Sequence, residues 1–156
     1  MPSKMERFTQ SARRSLSTAQ VEAERMQYPE INIGHMLLGL MQEEGTIAAI
    51  VLKEAGIELE KARQDVDAGG QHGPSPDAEA MTLADNVKRM LELAVDEARK
   101  RSHTVIAPEH LLLGIVRYQN NNSDLFDTFG LAPETIRAAI ERRMSEPDYR
   151  PDADMD

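Results

Sequence analysis

The feature that most constrains this chain is an internal duplication. Ala12 to Leu40 overlays Val87 to Ile115 without a gap at an offset of 75 residues, and ten of the 29 pairs are identical. These are Arg14/Arg89, Leu16/Leu91, Ala19/Ala94, Glu22/Glu97, Ala23/Ala98, Ile31/Ile106, His35/His110, Leu37/Leu112, Leu38/Leu113 and Gly39/Gly114. Composition alone would give about two. After one deletion the match resumes at an offset of 74, with Gly56/Gly130, Arg63/Arg137 and Val66/Ile140 among the pairs. Self-similarity on this scale means that one supersecondary unit is used twice, so the fold is set by what a single copy encodes.

Each copy reads as four helices. Phe8, Ala12, Leu16, Ala19, Ala23 and Met26 recur at three- and four-residue steps, which makes one apolar stripe on a helix over about 9–27. Its counterpart is expected to start at Thr82, where Thr82-Leu83-Ala84-Asp85 resembles a capping box. The second helix of each copy carries His35-Met36-Leu37-Leu38-Gly39-Leu40 or His110-Leu111-Leu112-Leu113-Gly114-Ile115 and is apolar nearly all round, so it should be central. Asn32 suits its N-cap and Pro108 its first helical position. Gly39 and Gly114 lie inside these helices, where Gly costs up to about 1 kcal/mol relative to Ala, so a close backbone contact is expected there. Short third helices end near Gly56 and Gly130, and fourth helices cover about 59–66 and 133–143.

The chain is therefore expected to be all-α, two pseudo-symmetric four-helix repeats forming one compact domain over 7–144. The first repeat covers about 8–68 and the second about 82–144, joined by a Gly- and Pro-rich linker at about 69–81. The acidic, proline-broken stretch 145–156 reads as a disordered tail.

Composition narrows the function classes. A net charge of −9 disfavours nucleic acid, whose backbone needs a clustered basic surface. Cysteine is absent, which removes thiolate nucleophiles and Cys-based zinc sites and suits a reducing compartment. No run approaches the roughly 20 apolar residues of a membrane span, and the first residues lack a signal-peptide pattern, so a cytoplasmic location without membrane contact is expected. None of Lys4, Lys53, Lys61, Lys88 or Lys100 follows a Gly, so there is no Walker A loop to hold phosphates.

Ala98-Arg99-Lys100, His103, Val105 and Pro108-Glu109-His110-Leu111-Leu112-Leu113-Gly114-Ile115 resemble the core of the Clp N-terminal domain, the double-repeat module that begins ClpA- and ClpC-type AAA+ unfoldases. Phe8-Thr9, His35-Met36-Leu37-Leu38-Gly39-Leu40 and Glu43-Glu44-Gly45 resemble the same family's opening. The resemblance covers about 7–144 and implies an all-helical module that docks adaptors and some substrates. No ATPase ring is expected to accompany it, and the start and tail of the chain lead to the expectation of a free-standing Clp-N protein rather than a fragment.

The resemblance also implies one binding residue. In some ClpC proteins the acidic residue before the motif His helps to bind phosphorylated arginine, a role that carries over only to Glu109, because Gly34 occupies the first-copy position. A carboxylate would not favour the phosphate, so Glu109 would serve by pairing with a guanidinium. The plainer reading is that Glu109 complements the dipole at its helix N-terminus. His35 and His110 invite a metal or a general base, but the local order is Glu-His, without the His-Glu-x-x-His zinc pattern. They read as structural, each imidazole bonding backbone near its helix start. His72 falls in the linker and is expected to be solvated.

The function expected from these readings is a noncatalytic protein-binding module of a Clp protease system, without catalytic residues, metal or cofactor. Its partners would be Clp adaptors, substrates or unfoldase components, with phosphoarginine-bearing or peptide ligands included. A decoy that sequesters peptides or small molecules directed at the unfoldase N-domain is a second reading. A scaffold, and a small His-dependent hydrolase or metalloprotein, are further alternatives.

Overall fold

The computed structural model describes residues 4–69, 73, 81–121 and 124–153. Most of the expected linker, including His72, and the last three residues of the expected tail lie outside the described residues. After a 3-10 turn at Lys4–Arg7 come α1 (Gln10–Arg25), β1 (Glu30–Ile31), α2 (Ile33–Met41), α3 (Ile47–Glu54) and α4 (Leu59–Gly69). The second copy follows as β2 (Thr82–Leu83), α5 (Asp85–Lys100), α6 (Pro108–Asn121), α7 (Asp124–Phe129) and α8 (Pro133–Met144). The all-α architecture of two four-helix repeats holds. Among the described residues no helix is long and apolar enough to cross a membrane.

Local chemistry explains where most helices begin and end. The Thr9 hydroxyl accepts from the Ala12 N–H at 3.1 Å and Thr46 caps α3 in the same way through Ala49. Asn32 and His35 cap α2 reciprocally: the Asn32 side chain accepts from the His35 N–H at 3.1 Å, and His35 Nδ1 accepts from the Asn32 N–H at 3.0 Å. Positive φ values at Gly56 (91°) and Gly130 (71°) end α3 and α7, where a side chain would be strained.

One boundary differs from expectation. Thr82 does not cap a helix, because Thr82–Leu83 is strand β2, paired in parallel with Glu30–Ile31. Ala84 is the N-cap of α5 instead, without a side-chain bond, and its N–H donates to the Ile31 carbonyl at 2.8 Å. The requirement that backbone groups find partners outweighed the local capping preference of Thr.

This pairing also fastens the two copies together. Phe8 makes an isolated parallel bridge with Ile106, and the Thr9 N–H donates to the Ile106 carbonyl at 3.0 Å. Thus the segment entering each copy's first helix pairs with the segment entering the other copy's second helix. Side chains from both copies, among them Phe8, Met36, Leu37, Val87, Met90, Leu112 and Phe126, form a single buried cluster. A smaller one, Leu38 with Ala62 and Val66, lies within the first copy.

Candidate functional site

The duplicated motif residues occupy the interior. Gly39 faces α1 so closely that a Cβ there would lie 2.2 Å from the Ser15 carbonyl oxygen, and at Gly114 the equivalent atom would lie 2.6 Å from that of Met90. These glycines let the first two helices of each copy meet backbone to backbone.

His35 and His110 are fully buried. His110 Nδ1 accepts from the Ala107 N–H at 2.9 Å, so the proton of the neutral ring is on Nε2, which donates to His103 Nδ1 at 2.8 Å. His35 follows the same pattern, but its Nε2 has no hydrogen-bond partner among the described residues, and the ring meets Tyr28 edge to face with centroids 4.7 Å apart. Tyr28 is the first-copy counterpart of His103. Burial holds His35 down to about 4, against the opposing pull of Glu22 and Asp67. It holds His110 down to about 3, assisted by His103 and Arg101 and opposed by Glu97. Both imidazoles are therefore neutral and weakly basic near neutral pH. Among the described residues no group of three or more His, Cys, Asp or Glu could hold a metal ion.

Two functional-looking carboxylates went unrecognised in the sequence. Glu22 and Glu97, 1% and 2% exposed, occupy the same repeat position on α1 and α5. Glu22 is met by Arg63 through Nε and Nη2 and by the amide of Gln42 at 3.0 Å. Glu97 is met by Arg101 at 2.8 Å and by Arg117 and Arg137 at 3.2 Å each. Burial pushes both carboxyls up, but hydrogen bonds to Arg63 and Gln42 on Glu22, and to Arg137 and Arg101 on Glu97, outweigh it and hold both below the ordinary carboxylate value. The signal was available as the paired identities Glu22/Glu97 and Arg63/Arg137. What it lacked was burial, since Glu on a helix is solvated by default.

Glu109 begins the most distinctive feature of the second copy. It is 5% exposed, and its Oε2 accepts the Tyr149 hydroxyl at 2.5 Å. Tyr149 comes from the stretch expected to be a disordered tail. In the structure 145–153 runs in turns, and the Tyr149 ring also lies against His103 with centroids 6.0 Å apart. Burial, then the Glu109 charge and hydrogen bond, push the Tyr149 phenol well above its usual value, so it stays a donor. The first copy has no counterpart of this arrangement: Gly34 replaces Glu109, and a Cβ there would lie 2.7 Å from a methyl of Val66. Beside Tyr149 lies a cleft of about 670 Å³ whose walls include Lys100, Arg101, Arg117, Arg137, Glu97 and Glu141.

Residues 7–129 match the family model of the Clp repeat (R) N-terminal domain. Over 142 residues, 90% of this chain, it is 37% identical to the chloroplastic chaperone protein ClpC1 of Oryza sativa subsp. japonica, of whose length the match spans 16%. The fold is similar to the crystal structure of the N-terminal domain of the chaperone ClpD from Arabidopsis thaliana, with a TM-score of 0.75 and 26% identity over 91% of this chain and 97% of that one. It is also similar to a ClpV N-domain solved in complex with a VipB peptide, with a TM-score of 0.67 and 15% identity over 88% and 89% of the two chains.

Proposed function

Because the chain belongs to the Clp repeat N-terminal domain family, we propose that it is a noncatalytic protein-binding module of a Clp-type system, engaging adaptors, substrates or the unfoldase itself. The observation that carries this reading is the match of nearly the whole chain to the N-terminal region of a ClpC chaperone, with both halves of the duplicated fold present. The ClpV N-domain solved with a peptide supports peptide capture as a use of this fold. The buried, weakly basic imidazoles of His35 and His110 speak against the hydrolase alternative, since a general base must reach its substrate and titrate near the working pH.

Purified chain immobilised at low density should bind the ClpC-type unfoldase, its adaptors or unfolded client peptides from the same cell, each presented singly in a calorimetric or optical binding assay. Absence of binding to all three classes would overturn the reading.

Within this function Glu109 would accept a guanidinium only after Tyr149 has left, because the phenol hydroxyl occupies Oε2. The first copy offers no such carboxylate. A guanidinium-bearing ligand, phosphoarginine included, is thus expected at one place in the chain and in competition with the 145–153 segment.

A further inference from the structure

Among the described residues, the two copies surround the same buried carboxylate with different amounts of charge. In the first, Glu22 and Glu60 face Arg25 and Arg63, two carboxylates against two cations. In the second, Asp96, Glu97 and Glu141 face Arg99, Lys100, Arg101, Arg117 and Arg137, three carboxylates against five cations. The excess arises at definable positions. Continuing the offset of 75, Met26 stands where Arg101 does and Gln42 where Arg117 does. The neutral Gln42 donates to Glu22 from the position where Arg117 meets Glu97 in the second copy.

The surplus is concentrated in the cleft beside Tyr149. Arg101, Arg117 and Arg137 are only 24 to 27% exposed there, and Lys100 reaches out at its rim. Partial burial weakens solvent screening, so unbalanced positive charge in such a cleft attracts an anion more strongly than the same charge on an open face. Guanidinium groups held in place by ion pairs are also pre-set for planar, two-pronged binding of an oxyanion. The cleft, about 670 Å³ and open to solvent, is large enough to admit a carboxylate or phosphate group. All this stands within a chain whose net charge is −9, so general electrostatic attraction to the whole surface does not explain it.

We infer that the cleft between α5, α6 and α8 is an oxyanion-binding site specific to the second copy, taking a carboxylate or phosphate group of a ligand through Arg101, Arg117 and Arg137. Glu109 does not line the cleft, although Tyr149 borders both, and the site does not depend on which protein the module engages.

The test is a titration of isotope-labelled full-length chain with inorganic phosphate and, separately, with a hexaglutamate peptide, read at the arginine side-chain resonances at constant ionic strength. At least one probe should give saturable shifts at Arg101, Arg117 and Arg137 with Arg63 unmoved, and which probe saturates identifies the source of the oxyanion. Arg117→Gln, which installs the residue of the first copy, should weaken binding about tenfold, roughly 1.4 kcal/mol. Lys100→Gln, at an exposed side chain, should weaken it a few-fold and serves if the first variant does not fold. Failure of both probes to saturate, equal shifts at Arg63, or unchanged affinity in the folded variants would overturn the proposal.

Discussion

His35 and His110 sit where a polar ring is hardest to charge. Each folded-state value lies below the ordinary histidine value of 6.5, so the unfolded chain takes up protons first as the solution is acidified. Their effect on stability is therefore nil above about pH 6.5, and grows unfavourably as pH falls toward about 4 for His35 and about 3 for His110. Each imidazole should remove up to about 1.4 kcal/mol per pH unit through that window. Glu22 and Glu97 act in the same direction further down, because carboxyls held below their ordinary value lose their stabilising contribution only when protonated. Denaturant unfolding at pH 7 and pH 5 should thus differ by several kcal/mol; equal midpoints would show that the imidazoles are charged or solvated in the fold.

Helix pairing is governed by two glycines. Alanine is the better helix former by up to about 1 kcal/mol, so propensity alone predicts that Gly39→Ala and Gly114→Ala stabilise the chain. The neighbouring carbonyls of Ser15 and Met90 reverse that sign, since a methyl group cannot occupy 2.2 or 2.6 Å from an oxygen without separating the helices. Each substitution should cost about 2–3 kcal/mol net in chemical denaturation, as overpacked interiors do. Gly39→Ala should cost more than Gly114→Ala, because its contact is closer. At this scale the sequence was legible where a pattern is local: the apolar stripes, the Asn32 cap, the α6 start at Pro108 and the glycine-terminated short helices. It misread Thr82, whose capping signature is the same whether or not a distant strand claims the backbone. Tyr149 was equally invisible, because an acidic proline-broken segment looks alike free or docked through one aromatic ring.

Across the whole molecule the repeats are not independent bodies. Each lends its entry segment to the other, through Ile31 with Leu83 and Phe8 with Ile106, and they share one buried cluster. A single copy would expose half of that core and leave unpaired backbone at its edge, which a unit of this size does not offset. Residues 1–72 and 73–156 expressed separately should therefore lack cooperative thermal unfolding and recover helical circular dichroism on mixing. A cooperative transition in either half alone would contradict the shared core. The duplication also explains how two similar halves come to differ in what they present: the shared positions are structural, while the second copy has room for Glu109 where Val66 crowds Gly34 in the first, and carries Arg117 where the first carries Gln42.

The sequence by itself determined that the chain is built from one helical unit used twice, which helices are central, and which family it resembles, because these follow from periodicity and identity between positions at a fixed offset. Only the tertiary structure decided how the copies interlock, that Glu22 and Glu97 are buried, that Tyr149 covers Glu109, and that the second copy gathers Arg101, Arg117 and Arg137 around one cleft. Those outcomes depend on which distant backbone and side-chain groups meet. Parallel pairing over two residues, ion pairs between helices forty residues apart and a turn folded back onto α6 leave no period in the chain that could be read in advance.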